Sequence, residues 1–152
     1  MENSCYKDIV YKIIGCAMTV HQELRWALAE QIYQEALCME LHDNGIECLR
    51  EVEVKCYYKG RPLKKMYKMD ILVGDVVVEV KSVSALLPEY RAQLCNYLRL
   101  THKSIGLLIN FGETNLKGER WVYDKVNNEC FLVDRHMKPL NNYSLSLLNS
   151  NT

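Results

Sequence analysis

Apolar residues along this chain change their repeat more than once, and each change marks an element. Over residues 6–24, Ile9, Ile13, Ala17 and Val20 recur at helical spacing, with Ile14 widening the stripe, which predicts a first helix. Arg25-Trp26 interrupts it. A second helix is predicted over 27–44, with Ile32, Ala36, Leu37, Met39 and Leu41 as its apolar face, and Asn44-Gly45 as its stop, since glycine enters the left-handed region at little cost. From Glu47 the period becomes two. Val52, Val54 and Cys56 alternate with Glu51, Glu53 and Lys55, which predicts a strand to residue 58. Lys59-Gly60-Arg61-Pro62 reads as a turn, followed by strands over 65–73 and 76–82 around a tight turn at Gly74-Asp75. Pro88 opens a third helix over 88–100, where its missing N–H costs little. Residues 105–111 form an apolar strand, 112–118 a loop, 120–123 a short edge strand and 131–133 a further weak strand. The chain from residue 138 is rich in Asn and Ser, so 138–152 is expected to be a loosely ordered tail on a single domain over 1–137. The order helix, helix, three-stranded meander, helix, strand defines an α/β class of mixed α+β character, with helices packed on the faces of one mixed sheet.

Composition narrows the function classes. The 152 residues suffice for one domain with a substantial core, and 49% apolar with 25% charged residues is ordinary for a globular protein. The formal net charge is zero, so no global field draws the chain to nucleic acid or an anionic membrane, and any such binding must come from a local patch. The start Met1-Glu2-Asn3-Ser4-Cys5 lacks a basic segment followed by an apolar core, and no apolar run approaches the roughly 18–20 residues that span a bilayer. A cytoplasmic protein without a membrane partner is expected. None of the seven cysteines forms a Cys-x-x-Cys pair, which argues for reduced, mostly buried thiols over a zinc or iron–sulfur centre.

The chemistry concentrates in the middle of the chain. Glu79-Val80-Lys81 ends the apolar run Val76-Val77-Val78, and alternation along a strand puts Glu79 and Lys81 on one face. Asp70, on the preceding strand, can join them. Two carboxylates and an amine suit a divalent-metal site with a positioned water, the Val80 carbonyl offering a further ligand. Lys81 would orient that water or stabilise charge developing on a phosphate. A solvent-facing Glu–Lys pair worth ~0–1 kcal/mol is the plainer alternative. Gln93 and Tyr97 lie four apart on the third helix and so share a face suited to a nucleotide, or to ordinary helix packing. Glu30 and Tyr33 lie three apart on the second helix, where Glu30 can lean over the sheet as an added ligand or simply face solvent. Between Val54 and Met69 stand Lys55, Lys59, Arg61, Lys64, Lys65 and Lys68 with no acidic residue, a hairpin able to track a phosphate backbone.

Glu30, Asp70, Glu79-x-Lys81 and Gln93-x-x-x-Tyr97, in this order, resemble the PD-(D/E)XK nuclease superfamily and its RecB-like branch. More narrowly, the segments IIGCAMTVHQEL, AEQIYQEAL, YKMDILVGDVVVEVKS, AQLCNYL and GLLINFG resemble the small bacterial proteins of the GxxExxY family. The resemblance implies a restriction-endonuclease-like core with a mixed sheet of four to five strands. It implies Asp70 and Glu79 as ligands of Mg²⁺ or Mn²⁺ beside the Val80 carbonyl, Lys81 as the catalytic lysine, Glu30 as an assisting acid, and Gln93 and Tyr97 as nucleic-acid contacts alongside Lys64, Lys65 and Lys68. The implied activity is metal-assisted phosphodiester hydrolysis, on DNA ahead of RNA. Two departures stand out: Ala27 replaces the name-giving glycine, with Arg25-Trp26 where similar proteins tend to have Gly-Pro, and Met69 replaces the proline before Asp70.

Two other readings share these residues. One is a non-catalytic nucleic-acid-binding module on the same fold. The other is an assembly protein whose first helix and Trp26 form a homodimer face. A modest basic patch on a neutral chain also fits delivery to nucleic acid by a protein partner. The chain contains no Gly-rich Lys-Ser/Thr phosphate loop, so no ATP motor is implied.

Overall fold

The computed structural model describes residues 3–146, with side chains described over 6–140. Its elements are α1 (Asn3–Leu24), α2 (Glu30–Asp43), β1 (Leu49–Tyr58), β2 (Arg61–Val73), β3 (Val76–Lys81), α3 (Pro88–Thr101), β4 (Ile105–Asn110), β5 (Lys117–Asp124), β6 (Glu129–Val133) and β7 (Pro139–Ser146). The seven described strands form one sheet in chain order. β3 and β4 run parallel, with α3 as the crossover, and the other neighbours run antiparallel. Among the described residues no helix is long and apolar enough to cross a membrane.

Alternation along the strands builds two apolar layers. Ile71, Val78, Val80 and Leu107 pack with Ile13 and Ala17 of α1 and Leu37 and Leu41 of α2. Met69, Val77, Leu108 and Trp121 pack on the other face with Leu94 and Leu98 of α3. The parallel pair β3–β4 is therefore covered on both sides, which is why both strands read as nearly continuous apolar runs. Each buried Val or Leu contributes about 1.5–3 kcal/mol of transfer free energy, and an ionisable side chain on such a strand opposes burial strongly.

β3 pairs with β2 only at Ile71, Leu72 and Val73, so the remainder of β2 pairs with β1 alone as a two-stranded ribbon. Its tip is a two-residue turn at Lys59 (φ 49°) and Gly60 (φ 75°), both left-handed, as a type I′ hairpin requires. β2 thus begins at Arg61, earlier than expected, and Pro62 pairs with Tyr57 on a ribbon edge open to solvent, a position that tolerates a missing N–H.

The sheet has seven strands where four or five were expected, because β5, β6 and β7 continue it beyond β4. β5 is no edge: it lies between β4 and β6. Residues 139–146, expected to carry no element, pair with β6 as β7, and residues 147–152 lie outside the described residues. On α2 the buried residues are Tyr33, Gln34, Leu37 and Leu41, while Ile32 and Met39, expected on the apolar face, are exposed. Leu37 and Leu41 belong to both faces and Ala36 packs beside them, while Tyr33 and Gln34 take the place of Ile32 and Met39. Phe111 fits the observed face, stacking on the Tyr33 ring with centroids 4.5 Å apart. Cys95 of α3 and Cys130 of β6, expected to be reduced, form a disulfide with Cα atoms 6.0 Å apart. Packing of α3 across the far half of the sheet brings together two residues 35 apart in sequence.

Tyr33 also organises the turn between α1 and α2. Its hydroxyl donates to the Arg25 carbonyl at 2.7 Å and accepts from the Leu28 N–H at 3.0 Å. Within that turn Ala27 sits at φ 66°, donating its N–H to the Phe111 carbonyl at 3.1 Å. A β-carbon in that region costs about 1–2 kcal/mol, partly offset by the greater chain entropy of glycine. Ala27→Gly is therefore expected to stabilise the fold by about 0.5–1 kcal/mol, read as a higher urea midpoint with unchanged slope.

Candidate active site

The site begins at a break in strand alternation. The β1–β2 register runs through Arg50–Ile71 and resumes at Val52–Met69, passing over Glu51 and Asp70. Glu51 takes φ 52°, and Met69 and Ile71, two apart, belong to opposite apolar layers. Asp70 thereby leaves the ladder at the point where β2 and β3 part. Its N–H donates to Glu79 Oε1 at 2.9 Å, and its own Oδ2 accepts the Val80 N–H at 2.8 Å. Two side-chain bonds replace the ladder here and hold two carboxyl groups against each other.

This pair is electrostatically expensive. Glu79 is 3% exposed. Burial, and after it the charge of Asp70, push its carboxyl well above the usual range. Burial likewise raises Asp70, opposed by the Val80 N–H, its bond with Glu79 and the charge of Lys81, and reinforced by Glu51. A buried pair of acids short of positive charge either retains protons or takes a cation. The donors are hard oxygens, which suit Mg²⁺ or Mn²⁺. Among the described residues, no group of three or more His, Cys, Asp or Glu side chains is gathered for a metal.

Lys81 shares the face of Glu79 and holds its ammonium 4.7 Å from the centroid of the Tyr90 ring, in the first turn of α3. No ion pair within 4.0 Å engages it among the described residues, yet its charge lowers both carboxyl groups. Tyr97, further along α3, is 3% exposed. Its phenol is raised by burial and then by the charges of Glu79, Asp70 and Tyr67, and its ring belongs to the same apolar layer as Met69, the residue before Asp70. Gln93 and Tyr97 line a cleft of about 550 Å³ between α3 and the ribbon.

The other expected residues are distributed around this centre. Val80 donates its N–H to Asp70 Oδ2 and so joins the pair through its backbone. Glu30 stands in the first turn of α2 and is not brought into a carboxylate group with Asp70 and Glu79. α2 packs on the layer opposite α3, although the Ser82 hydroxyl donates to the Leu28 carbonyl and so ties the entrance of α2 to the end of β3. Lys64, Lys65 and Lys68 are all exposed on β2, where alternation divides them between the two faces of the ribbon. Lys65 lies 5.7 Å over the Tyr67 ring, on the face that lines the cleft.

Asn110 was missed. It is fully buried at the end of β4 and paired in register with Lys81. Its Oδ1 accepts the N–H groups of Val83 and Gly112, and its Nδ2 donates to the Val83 carbonyl and to Glu113 Oε2. These bonds clamp the chain leaving Lys81 against the loop after β4, so closely that a β-carbon on Gly112 would lie 2.2 Å from the Val83 backbone. A lone Asn followed by an aromatic residue and Gly, closing an apolar run, was the available signal. Asn110→Ala is expected to destabilise the fold by about 2–4 kcal/mol, measured by urea unfolding, because it strands several backbone groups.

A family model described as the PD-(D/E)XK nuclease superfamily matches residues 7–122, and the chain belongs to that superfamily. No curated protein matches significantly. Among solved structures, the one described as "Crystal structure of SSO0001" is similar, with a TM-score of 0.50 and 21% identity over 60% of this chain. The match spans 48% of that structure's chain, about half its length, and bears on the fold alone.

Proposed function

We propose that this chain is a divalent-cation-dependent phosphodiester hydrolase acting on nucleic acid, DNA ahead of RNA, of the GxxExxY family on the RecB-like branch. The observation that carries the reading is the buried Asp70–Glu79 pair with Lys81 on the same face of β3. Asp70 and Glu79 would hold Mg²⁺ or Mn²⁺. The ion, when bound, neutralises charge on the scissile phosphate and lowers the pKa of water. Lys81 orients the attacking water and stabilises negative charge as it develops on phosphate oxygens. Tyr90 steadies the ammonium without neutralising it. The Asp70 N–H and Val80 N–H fix the two carboxylates so that neither reorganises during reaction. Glu30 is assigned no direct ligand role. The basic ribbon supplies salt-sensitive contacts to the phosphate backbone.

The test is cleavage of a panel of labelled DNA and RNA, single- and double-stranded, with Mg²⁺ or Mn²⁺ and with chelator, by the wild type and Asp70→Ala. Cutting that needs the cation and disappears in Asp70→Ala supports the reading. Binding without cutting by the wild type would favour the non-catalytic module instead.

A further inference from the structure

We propose that the cleft between α3 and the β1–β2 ribbon is a stacking subsite for an unpaired base, so that the substrate of the neighbouring site is single-stranded nucleic acid. This rests on the nuclease reading and goes beyond it in naming the substrate form.

The ribbon side of the cleft presents two exposed tyrosines, Tyr57 at 60% and Tyr67, which also meets Lys65 and Tyr97, at 40%. Aromatic faces of this kind bind base faces, and sequence-tolerant stacking is the usual means of holding single strands. In a duplex the base faces are occupied by neighbouring bases and only the edges are presented. The opposite wall, on α3, carries Gln93, Asn96 and Arg99, groups that read base edges through amide and guanidinium hydrogen bonds. The Gln93 amide makes no side-chain bond among the described residues and is available to a ligand.

Arg99 and Glu89 both line the cleft, so its charged groups balance and offer a phosphate no net attraction. An anion seated there would meet the Glu89 carboxylate, whereas an exocyclic amine of a base would find an acceptor. Lys65 holds its ammonium 5.7 Å from the centroid of the Tyr67 ring, placed to meet the backbone of a strand whose base lies inside. Tyr97 forms the partition: it lines the cleft, faces Tyr67 with ring centroids 5.9 Å apart, and belongs to the same apolar layer as Met69, the residue before Asp70. A base held against Tyr57 and Tyr67 therefore directs its strand past that partition toward the carboxylates. The volume of about 550 Å³ lies within the range of small-ligand sites, roughly 300–1,000 Å³.

The test measures binding apart from cleavage. The full-length chain carrying Lys81→Ala, in chelator, is titrated into a labelled single strand, a blunt duplex of the same sequence, and a single strand with abasic positions, which keeps the phosphates and lacks the bases. Adding Tyr57→Ala is expected to weaken single-strand binding about 5- to 150-fold, the range for one stacked base, while duplex binding is unchanged. Tyr57→Phe should restore binding, because stacking needs the ring and not the hydroxyl, and Asn96→Ala should weaken it. The abasic strand should bind the parent as weakly as the intact strand binds Tyr57→Ala. The proposal is overturned if the abasic and intact strands bind alike, or if Tyr57→Ala leaves single-strand affinity unchanged. Should that flat result accompany metal-dependent cutting by the wild type, the cleft assignment fails and the nuclease reading stands. Tyr57-dependent binding without any cutting supports the cleft and removes the catalytic reading.

Discussion

Lys81→Ala is expected to lower the rate of cation-dependent phosphodiester cleavage by about 10²–10³-fold, with KM little changed and the fold intact. The size follows from removing one preorganised charge aimed at the transition state. A fall in turnover without a rise in KM identifies an interaction realised only in that state. Stability should hardly move. The ammonium engages no carboxylate within 4.0 Å among the described residues, and its contact with Tyr90 is worth only about 0.5–1 kcal/mol. Single-turnover kinetics beside a urea titration separate the two quantities. A variant that cuts as fast as the wild type would remove Lys81 from the chemistry.

Glu79→Gln should do the opposite to stability. In the metal-free protein it removes a buried charge but keeps an acceptor for the Asp70 N–H. We expect it to be more stable than the wild type by roughly 0.5–2 kcal/mol at about pH 8, the familiar exchange of stability for function. The pH dependence follows from the direction of the shifts. Both carboxyl groups bind protons more tightly folded than unfolded, so their contribution is fully present below the unfolded values near 3.8 and 4.5 and is lost as pH rises through the raised folded values. The wild type should thus lose stability relative to Glu79→Gln as pH rises from about 4, and the two curves should converge toward acid. Asp124 and Asp134, held low by hydrogen bonds from Asn127 and the Lys138 N–H, act in the reverse sense, with stability lost as pH falls through their lowered values. They are common to both proteins and cancel in the difference. Mn²⁺ should reverse the ranking. At about a hundred times its dissociation constant it adds roughly 2.7 kcal/mol to the wild type and little to Glu79→Gln. Parallel curves at all pH values, or equal stabilisation by Mn²⁺, would contradict the assignment.

These residues were legible to different degrees for physical reasons. Glu79 and Lys81 announce themselves because a charged pair ends a strand that is otherwise apolar on both faces, and α1 declares its stripe through Ile13, Ala17 and Val20, with Ile9 and Ile14 partly buried beside them. The seating of Asp70 is hidden, because the break in alternation depends on a left-handed Glu51, a residue that carries no glycine-like signal. Leu37 and Leu41 of α2 are legible and buried, but Ile32 and Met39 are just as apolar and lie exposed, because the helix turns Tyr33 toward Phe111 instead. The far half of the sheet was underestimated for another reason. β5 and β6 are anchored to α3 by contacts that no periodicity reveals, Arg91 pairing with Glu119 of β5 at 2.7 Å and Cys95 reaching Cys130 of β6, while Trp121 donates to Glu119 within β5. The Asn- and Ser-rich composition of residues 139–146 likewise masks a strand whose backbone pairs with β6.

In the proposed function the Asp70–Glu79 pair is a cation site that serves cleavage. The most direct test is the cleavage rate of a labelled oligonucleotide, followed as Mg²⁺ or Mn²⁺ is titrated, for the wild type and Glu79→Gln. The rate should rise to saturation with the cation in the wild type and stay at the chelator baseline in Glu79→Gln. Cleavage that ignores the cation, or that saturates identically in both proteins, would contradict it.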